Sequence, residues 1–303
     1  MKKAIGIDLG GTNVRAALVG SDGSVIRRLK EPTTENVFDT LRAMVKELSK
    51  EGVEGIGVGA AGLVDKKQGR VILSPNIPSI TGKGFDEIGD GLKVYLENDA
   101  NAAALGEMWL GAGRDFESFV LMTLGTGIGG GFIHRGRLLN VSAEVGHMSV
   151  EQAGRKCMCG GSGCLELYAS ARAITEAVTK AIEGGAESIL TQGNIYKLTP
   201  EDIYKAAFEG DNLARESLRE AGRYLGIGIA NLINIMSPDA VVLAGGLTGA
   251  WDLYIKEAIK EAQKRAFKSL FDRASIIQAS LNDDAGVLGA AYLVFHGEES
   301  YIC

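Results

Sequence analysis

The stretch Gly6-Ile7-Asp8-Leu9-Gly10-Gly11-Thr12-Asn13 lies close to the N-terminus and decides the fold. Apolar residues precede it, and we interpret residues 3–8 as a buried strand that ends on a carboxylate. Gly10 and Gly11 carry no side chains, so the backbone N–H groups of this turn can approach a phosphate closely. Taken alone, the turn is equally compatible with a tight hairpin.

The order of elements around this loop occurs a second time in the chain. In the first half it is strand, glycine loop, strand, turn and strand, with Gly23 in the turn. In the second half Gly125-Thr126-Gly127 takes the place of the first loop, and Gly136 that of Gly23. We interpret the two passes as a duplicated unit rather than as a coincidence between two hairpins. The strands are predicted at residues 3–8, 14–20 and 24–29, and again at 119–124, 132–134 and 137–139.

Further strands and helices follow each unit. Their alternation predicts an α/β protein, and two similar halves predict two domains with a ligand-binding cleft between them. The helices are predicted at residues 37–48, 101–110, 165–181, 199–208, 212–235, from 246 through 267 and at 284–295; the remaining strands are predicted at 53–59, 92–96, 240–243 and 274–278.

Composition excludes several classes of protein. Of 303 residues, 46% are hydrophobic and 23% charged, the net charge is -6 and no basic block occurs, so we expect a globular protein without a nucleic-acid partner. No apolar window is long enough for a membrane span, and the N-terminus enters a strand directly, so we expect a cytoplasmic protein without a signal peptide. Three of the four cysteines cluster within residues 157–164 and the fourth is Cys303, which is not a disulfide framework.

The two loops together predict a nucleotide site. Neither is a Walker loop, since no Gly-Lys-Ser/Thr follows, and the second loop leads into a strand rather than into the helix of a dinucleotide fingerprint. Asp8 is placed to hold a magnesium ion beside a triphosphate, although capping of local amides is the alternative. Gly245-Gly246, between an apolar strand and a helix, can pack under a base or ribose, which is a weak signal by itself.

Glu97-Asn98-Asp99-Ala100-Asn101 ends one predicted strand and opens a helix. Asp99 is well placed as the N-terminal cap of that helix. Beside two phosphate loops, however, we favour Asp99 as the general base that takes a proton from an attacking hydroxyl. Asn98 can then bind a neighbouring hydroxyl.

A cluster of cysteines and one histidine is the strongest single signal. Glu144-Val-Gly-His147 is followed by Cys157-Met-Cys159-Gly160-Gly161-Ser162-Gly163-Cys164-Leu-Glu166. Three thiolates and an imidazole match a closed tetrahedral zinc site, whose role would be structural because no position is left for water. A disulfide and buried reduced cysteines are the alternatives. Such a metal would stiffen the loop that presents Glu144, His147 and Glu166 to a sugar.

The glycine loops with Asp8 resemble the actin–hexokinase–Hsp70 ATPase superfamily, and the remaining motifs resemble the ROK family of repressors, open reading frames and kinases. That resemblance covers essentially the whole chain. It implies duplicated actin-like (ribonuclease H-like) domains with an interdomain cleft. We assign residues 1–110 and 285–303, with a returning C-terminal helix, to a smaller N-terminal domain and residues 111–284 to a larger one carrying the zinc site.

The resemblance also implies a role for each motif. The catalytic base is Asp99; the sugar ligands are Asn76, Asn98, Asp99, Glu144, His147 and Glu166; the nucleotide site contains Asp8, Gly10, Gly11, Thr12, Asn13, Gly125, Thr126, Gly127, Gly245 and Gly246; the zinc ligands are His147, Cys157, Cys159 and Cys164. The implied activity is that of an ATP- and Mg²⁺-dependent hexose kinase of carbohydrate metabolism (glycolysis). The bacterial glucokinases are the most similar branch, with phosphorylation of glucose at the 6-hydroxyl.

Two segments that border the sugar depart from the family pattern. Ala61-Gly62 stands where Pro-Gly is common, and the segment before Glu144 is several residues shorter. Mannose, fructose and N-acetylhexosamines therefore stay open as acceptors. A sugar-responsive regulator of this family would carry a DNA-binding extension, whereas seven residues precede Asp8, and a non-kinase ATPase would have no use for the Cys/His cluster. Family members are commonly dimers or tetramers, so we expect a homo-oligomer.

Overall fold

The computed structural model describes residues 1–302 and has the predicted α/β architecture; Cys303 lies outside the described residues. The strands are β1 (Lys3–Leu9), β2 (Asn13–Gly20), β3 (Val25–Pro32), β4 (Ile56–Ala60), β5 (Leu63–Asp65), β6 (Arg70–Leu73), β7 (Val94–Asn98), β8 (Phe119–Leu124), β9 (Ile128–His134), β10 (Arg137–Leu139), β11 (Ala240–Ala244), β12 (Ser275–Gln278) and β13 (Tyr301–Ile302). The helices are α1 (Val37–Leu48), α2 (Asp99–Leu110), α3 (Glu166–Ala169), α4 (Ala171–Glu183), α5 (Pro200–Glu209), α6 (Asn212–Met236), α7 (Lys256–Arg265), α8 (Lys268–Phe271) and α9 (Ala285–His296).

The first sheet has five strands in the order β3-β2-β1-β4-β7. The pairs β1–β2 and β2–β3 are antiparallel, whereas β1–β4 and β4–β7 are parallel. The central strands are buried along most of their length, which explains their continuous apolar sequence. Asp8 is in register with Gly59, and Gly59 with Glu97. The carboxyl ends of β1 and β7 therefore meet at one edge of the sheet.

The second sheet repeats this arrangement. Its order is β12-β11-β8-β9-β10-β13, so that β10-β9-β8-β11-β12 corresponds to β3-β2-β1-β4-β7. The pair β9–β10 is antiparallel and the pair β11–β12 is parallel, as in the first sheet. The duplicated unit predicted from the glycine loops is thereby confirmed. β13 is an addition to the repeat and pairs in parallel with β10.

Three local predictions are wrong. β9 begins at Ile128, within the stretch predicted as a loop, because its glycines hide the strand pattern. The helix predicted at 165–181 is broken at Ser170, whose side chain caps α4. After Gly245 the chain forms a 3₁₀ helix (Gly246–Ala250) and a π-helical turn (Trp251–Ile255) before α7, rather than one helix. The hairpin β5–β6 and the strand β13 were not predicted.

Helix α9 packs against β1, β4 and α2. It is apolar around most of its circumference and largely buried, as expected for a core helix. Its close approach to the sheet requires glycine on two strands. A Cβ atom on Gly6 would lie 1.9 Å from the carbonyl oxygen of Val287, and one on Gly57 would lie 1.8 Å from that of Ala290.

The residues form two compact units. The first contains Met1–Leu121, Gly131–Ala143 and the residues from Ala279 onward, and the second contains Met122–Gly130 and Glu144–Gln278. The domain boundaries at residues 110 and 284 stay a prediction. Within residues 1–302, no helix has both the length and the hydropathy that a membrane crossing requires.

Candidate active site

The first glycine loop connects β1 to β2 and is closed by its own backbone. The N–H of Gly10 donates to the carbonyl oxygen of Asn13 at 3.1 Å. Thr33 holds the loop from outside, since its hydroxyl donates to the carbonyl oxygen of Gly10 at 2.6 Å and its N–H to that of Thr12 at 2.9 Å. Gly11 and Thr12 are exposed at the tip, so their polar groups are accessible to a ligand.

Asp8 lies beneath this loop in a strongly charged environment. Arg15 donates to Asp8 Oδ2 at 3.3 Å and to Asp283 Oδ2 at 2.9 Å. Burial, and after it the negative charge of Asp99, raise the pKa of Asp8 to about 6 against the opposing effect of Arg15. The mutual repulsion of the Asp8 and Asp99 carboxylates favours the binding of a cation, or of a proton that is being transferred, beside them.

Asp99 is the first residue of α2, but it is not the cap of that helix. The cap is Asn98, whose Oδ1 accepts from the N–H groups of Ala100 at 2.9 Å and Asn101 at 3.1 Å. The interpretation of Asp99 as the cap is therefore wrong, although its Oδ1 also accepts from Ala100 at 2.9 Å. Capping by Asn98 leaves the Asp99 carboxylate in the first turn of α2, near the positive end of the helix dipole.

Asn98 has little capacity left for the predicted sugar contact. Both lone-pair positions of its Oδ1 are used by the helix, and its Nδ2 donates to the carbonyl oxygen of Gly62 at 3.0 Å. One Nδ2 hydrogen is left for a hydroxyl. Gly62 directly follows Ala61, which stands where proline is common in the family, so the departure lies one residue from a contact of a predicted sugar ligand.

Asn76 lies beside the first loop. A Cβ atom on Gly11 would be 3.4 Å from the Cβ atom of Asn76, and the Asn76 residue is exposed. The first compact unit thus brings together the loop, Asp8, Asn76 and the Asn98-Asp99 pair.

The second glycine loop connects β8 to β9 in the second compact unit. The N–H of Gly125 donates to the carbonyl oxygen of Gly127 at 3.0 Å, and no atom lies within 4 Å of a Cβ atom placed on Gly125. Gly245 approaches the start of this loop. Its φ is +96°, and a Cβ atom there would lie 2.4 Å from the carbonyl oxygen of Leu124, so only glycine fits. Gly125, Thr126, Gly127, Gly245 and Gly246 are therefore neighbours.

Glu166 ties the metal-binding segment to the second loop. Its Oε2 accepts from the N–H of Ile128 at 2.9 Å, and a Cβ atom on Gly127 would lie 2.4 Å from that oxygen. Arg172 approaches the other oxygen, Oε1, at 3.4 Å. The role of Glu166 as a sugar ligand stays a prediction; in this structure its carboxylate holds the start of β9, next to the second glycine loop.

Glu144 and His147 belong to one short turn. His147 Nε2 lies 3.9 Å from Glu144 Oε2, whereas its Nδ1 lies 3.6 Å from the Sγ atom of Cys157. The two ring nitrogens thus face different groups, one the carboxylate and one the thiols. This arrangement permits His147 to hold a metal through Nδ1 while Nε2 stays available to a sugar.

His147 and the three cysteines fit a tetrahedral zinc ion. Their ligand atoms all lie within 4.8 Å of one another, and the Sγ atoms of Cys159 and Cys164 are 3.6 Å apart. Ligands at zinc bond lengths are separated by about 3.5–3.8 Å, so small adjustments would close the site. Burial and the adjacent thiols raise the pKa of Cys164 to about 12, which means that a metal would have to displace a proton from this cluster.

Sequence reasoning assigned no role to several charged or polar groups near Asp8 and Asp99. They are Arg15, Lys66, Glu97, Tyr301 and Glu107. Glu107 is fully buried and accepts from the N–H groups of Ala112 at 2.7 Å and Leu281 at 2.8 Å. Glu97 lies two residues before the predicted base, and Glu107 is an acid within the apolar part of α2, so both had a local signal. Two of their partners, Tyr301 for Glu97 and Leu281 for Glu107, are distant in sequence, and these pairings had no such signal.

The fold is that of a sugar kinase with two actin-like domains. The model of the ROK family matches residues 4–296, and the chain belongs to that family.

Three relatives illustrate the range of the family. The glucokinase of Halalkalibacterium halodurans is 34% identical over 98% of this chain and 96% of its own. The crystal structure of a ROK family glucokinase from Streptomyces griseus, in complex with glucose and AMPPNP, has a TM-score of 0.84 and 35% identity over 97% of this chain and all of its own. The xylose repressor of Caldicellulosiruptor bescii is 32% identical over 96% of this chain and 77% of its own.

Proposed function

We propose that this protein is an ATP-dependent hexose kinase that transfers the γ-phosphoryl group to a 6-hydroxyl, with glucose as the acceptor and glucose 6-phosphate as the product. The observation that carries the proposal is the placement of Asp99. It stands at the start of α2, close enough to raise the pKa of Asp8, the carboxylate that precedes the first glycine loop. Catalysis of phosphoryl transfer requires this combination of a base, a cation-binding acid and phosphate-binding amides.

Each nucleotide residue has a defined task in this proposal. Amides of Gly11, Thr12 and Asn13, and of Thr126 and Gly127, would bind the phosphates. Gly10 and Gly125, whose N–H groups close their own loops, would let the phosphates approach the backbone because they carry no side chains. Gly245-Gly246 would pack under the base or ribose. Asp8 would hold Mg²⁺ directly or through water, and its carboxylate offers the oxygen ligands that this ion takes. Bound Mg²⁺ supplies charge neutralisation on the triphosphate.

The acceptor is held by the remaining predicted residues. Asn76, Asn98, Glu144, His147 and Glu166 would bind sugar hydroxyls, and Asp99 would accept the proton of the attacking 6-hydroxyl. A zinc ion on His147, Cys157, Cys159 and Cys164 would be structural, since four protein ligands close its coordination shell. The chain's own contribution is to fix the turn that carries Glu144 and the start of α3 that carries Glu166.

The similarity to glucokinases favours glucose as the acceptor. Mannose, fructose and N-acetylhexosamines are alternative acceptors, because the predicted sugar ligand Asn98 donates to Gly62 in a segment that departs from the family pattern. A reduced cysteine cluster and the use of ATP are consistent with a cytoplasmic enzyme of glycolysis. Assembly as a homodimer or homotetramer is part of the proposal and is testable by light scattering.

The direct test is a coupled assay of ATP consumption over a panel of hexoses. We expect the highest kcat/KM with glucose. Asp99→Asn should lower kcat by about 10²–10⁴-fold while glucose binding, measured by tryptophan fluorescence, persists. Near-normal turnover of this variant would overturn the assignment of the base. A wild-type protein that binds a sugar but phosphorylates none would instead favour a regulator, the function of the xylose repressors in the family.

A further inference from the structure

Glu97 is a buried carboxylate directly before the Asn98-Asp99 pair, and four donors surround it. Its side chain is 1% exposed. Oε1 accepts from the N–H of Asn98 at 2.9 Å and from Asn101 Nδ2 at 3.0 Å. Oε2 accepts from Lys66 Nζ at 2.9 Å and from the Tyr301 hydroxyl at 2.9 Å. A charge this deeply buried is tolerated only when it is paired and hydrogen-bonded.

The two donors to Oε2 come from distant parts of the chain. Lys66 follows β5, and Tyr301 belongs to β13, which pairs with β10. Lys66 Nζ also lies 4.3 Å from the centre of the Tyr301 ring, so a cation–π interaction keeps the two donors together. Burial and the Glu97 charge raise the pKa of Tyr301, which therefore stays a donor at every physiological pH. The C-terminal strand thus reaches the base through one side chain.

The two acceptor contacts of Oε1 enclose Asp99. One fixes the N–H of Asn98, the residue before Asp99, and the other fixes the side chain of Asn101, two residues after it. Together they set the direction in which α2 begins and hence the position of the Asp99 carboxylate. Within residues 1–302, Asn101 Oδ1 is one of two buried side-chain atoms without a hydrogen-bond partner. An unmatched buried group lowers stability, so stability alone does not account for this network.

We propose that Tyr301 and Lys66 are positioning residues that act through Glu97 to hold the base Asp99 in line with the acceptor hydroxyl. The inference rests on the proposed kinase function and adds to it the contribution of the C-terminal strand. Positioning matters here because displacements of about 1 Å are enough to lower the rate of a bimolecular transfer about 10²-fold.

The experiment compares Tyr301→Phe with Tyr292→Phe. The first removes the hydroxyl that donates to Glu97 and keeps the ring beside Lys66. The second removes a hydroxyl from α9, where Tyr292 stacks on His296 at a ring distance of 4.0 Å and has no part in the network. Glucose phosphorylation, ATP hydrolysis without sugar, the thermal midpoint and amide hydrogen exchange are measured for both variants and for the wild type.

For Tyr301→Phe we expect kcat for glucose to fall about tenfold, with ATP hydrolysis without sugar nearly unchanged. Water can adjust to a displaced base, whereas a bound sugar cannot. The Asn98 amide should exchange at least about threefold faster, since the remaining partners hold Glu97 less firmly. Lys66→Met should act in the same direction and Lys66→Arg should restore most of the activity. Tyr292→Phe should behave like the wild type.

The outcomes separate this inference from the function on which it rests. A wild-type protein without hexose phosphorylation would overturn the kinase function and with it the role of Asp99. In an active wild type, unchanged kcat and exchange in Tyr301→Phe would overturn the positioning role alone. An equal fall in both activities, in proportion to the loss of folded protein, would show a purely structural contact and would likewise overturn it.

Discussion

At the scale of single residues, Asp8 shows how a site lowers the stability of its own fold. Its pKa is raised from 3.8 to about 6, so the folded protein binds its proton more tightly than the unfolded chain does. The penalty is absent below pH 3.8, grows as pH rises through 6 and is complete above it. Without added Mg²⁺ or nucleotide, Asp8→Asn should therefore be more stable than the wild type at pH 7.5, by at most about 3 kcal/mol.

This prediction is checked by denaturant titration at several pH values. The stability difference between Asp8→Asn and the wild type should vanish at about pH 3, below the unfolded pKa of 3.8, because Asp8 is then largely protonated in both the folded and the unfolded state. The same variant should lose phosphoryl transfer. A stability difference that is independent of pH would contradict the effect of burial and of the Asp99 charge.

Glu166 offers a second test at the residue scale, because its carboxylate holds the second glycine loop, which we propose binds phosphate. Glu166→Ala should weaken nucleotide binding about tenfold even without sugar, since the N–H of Ile128 loses a charged acceptor. Glu144→Ala is the matched control, because that exposed acid contacts His147 and has no hydrogen bond to the loop. Equal nucleotide affinity of both variants, measured by calorimetry, would show that Glu166 serves only the sugar.

At the scale of elements, the segment Glu144–Glu166 should depend on zinc. The purified protein should contain about one zinc per chain by mass spectrometry, as four ligands in one cluster require. Cys159→Ser should lose most of this metal and lower the thermal midpoint by about 5 °C or more. Met158→Ser changes an 87% exposed residue between two ligands and should keep the zinc. Wild-type protein that folds normally without zinc would contradict the prediction.

Elements whose signals are local were predictable from sequence. The bounds of α1 were predicted at Val37–Leu48 because its apolar residues repeat at helical spacing and are buried in the structure. β9 was predicted too short, since glycines carry no polarity pattern. Ser170 was overlooked as a helix cap because apolar spacing continues across it.

The candidate site likewise has a part that was predictable from sequence and a part that was not. The predictable part consists of contiguous motifs whose residue types indicate their chemistry. These motifs are the glycine loops, the Asn98-Asp99 pair and the cysteine cluster. The contacts of Glu97 with Tyr301 span 204 positions, and β13 has two residues, too few for any periodic pattern. Such pairings depend on the folded topology, so sequence reasoning had no means of finding them.

At the scale of the whole molecule, the first sheet and helix α9 near the C-terminus are packed against each other through glycines. Gly57 on β4 meets the carbonyl oxygen of Ala290 on α9, where a Cβ atom would lie 1.8 Å away. Gly57→Ala should therefore push α9 from the sheet and lower the thermal midpoint by about 5–10 °C, since overpacking a core costs about 1–3 kcal/mol.

The control is Gly249→Ala, at an exposed glycine where no atom lies within 4 Å of an added Cβ. Its thermal midpoint should stay within about 1 °C of the wild type. Because α9 also begins beside Asp8, where a Cβ on Gly286 would lie 2.8 Å from the Asp8 Cγ, displacement of the helix by Gly57→Ala should reduce kcat as well. A Gly57→Ala variant as stable and active as Gly249→Ala would contradict this prediction. It would show that neither stability nor activity depends on the close packing of α9 against the first sheet.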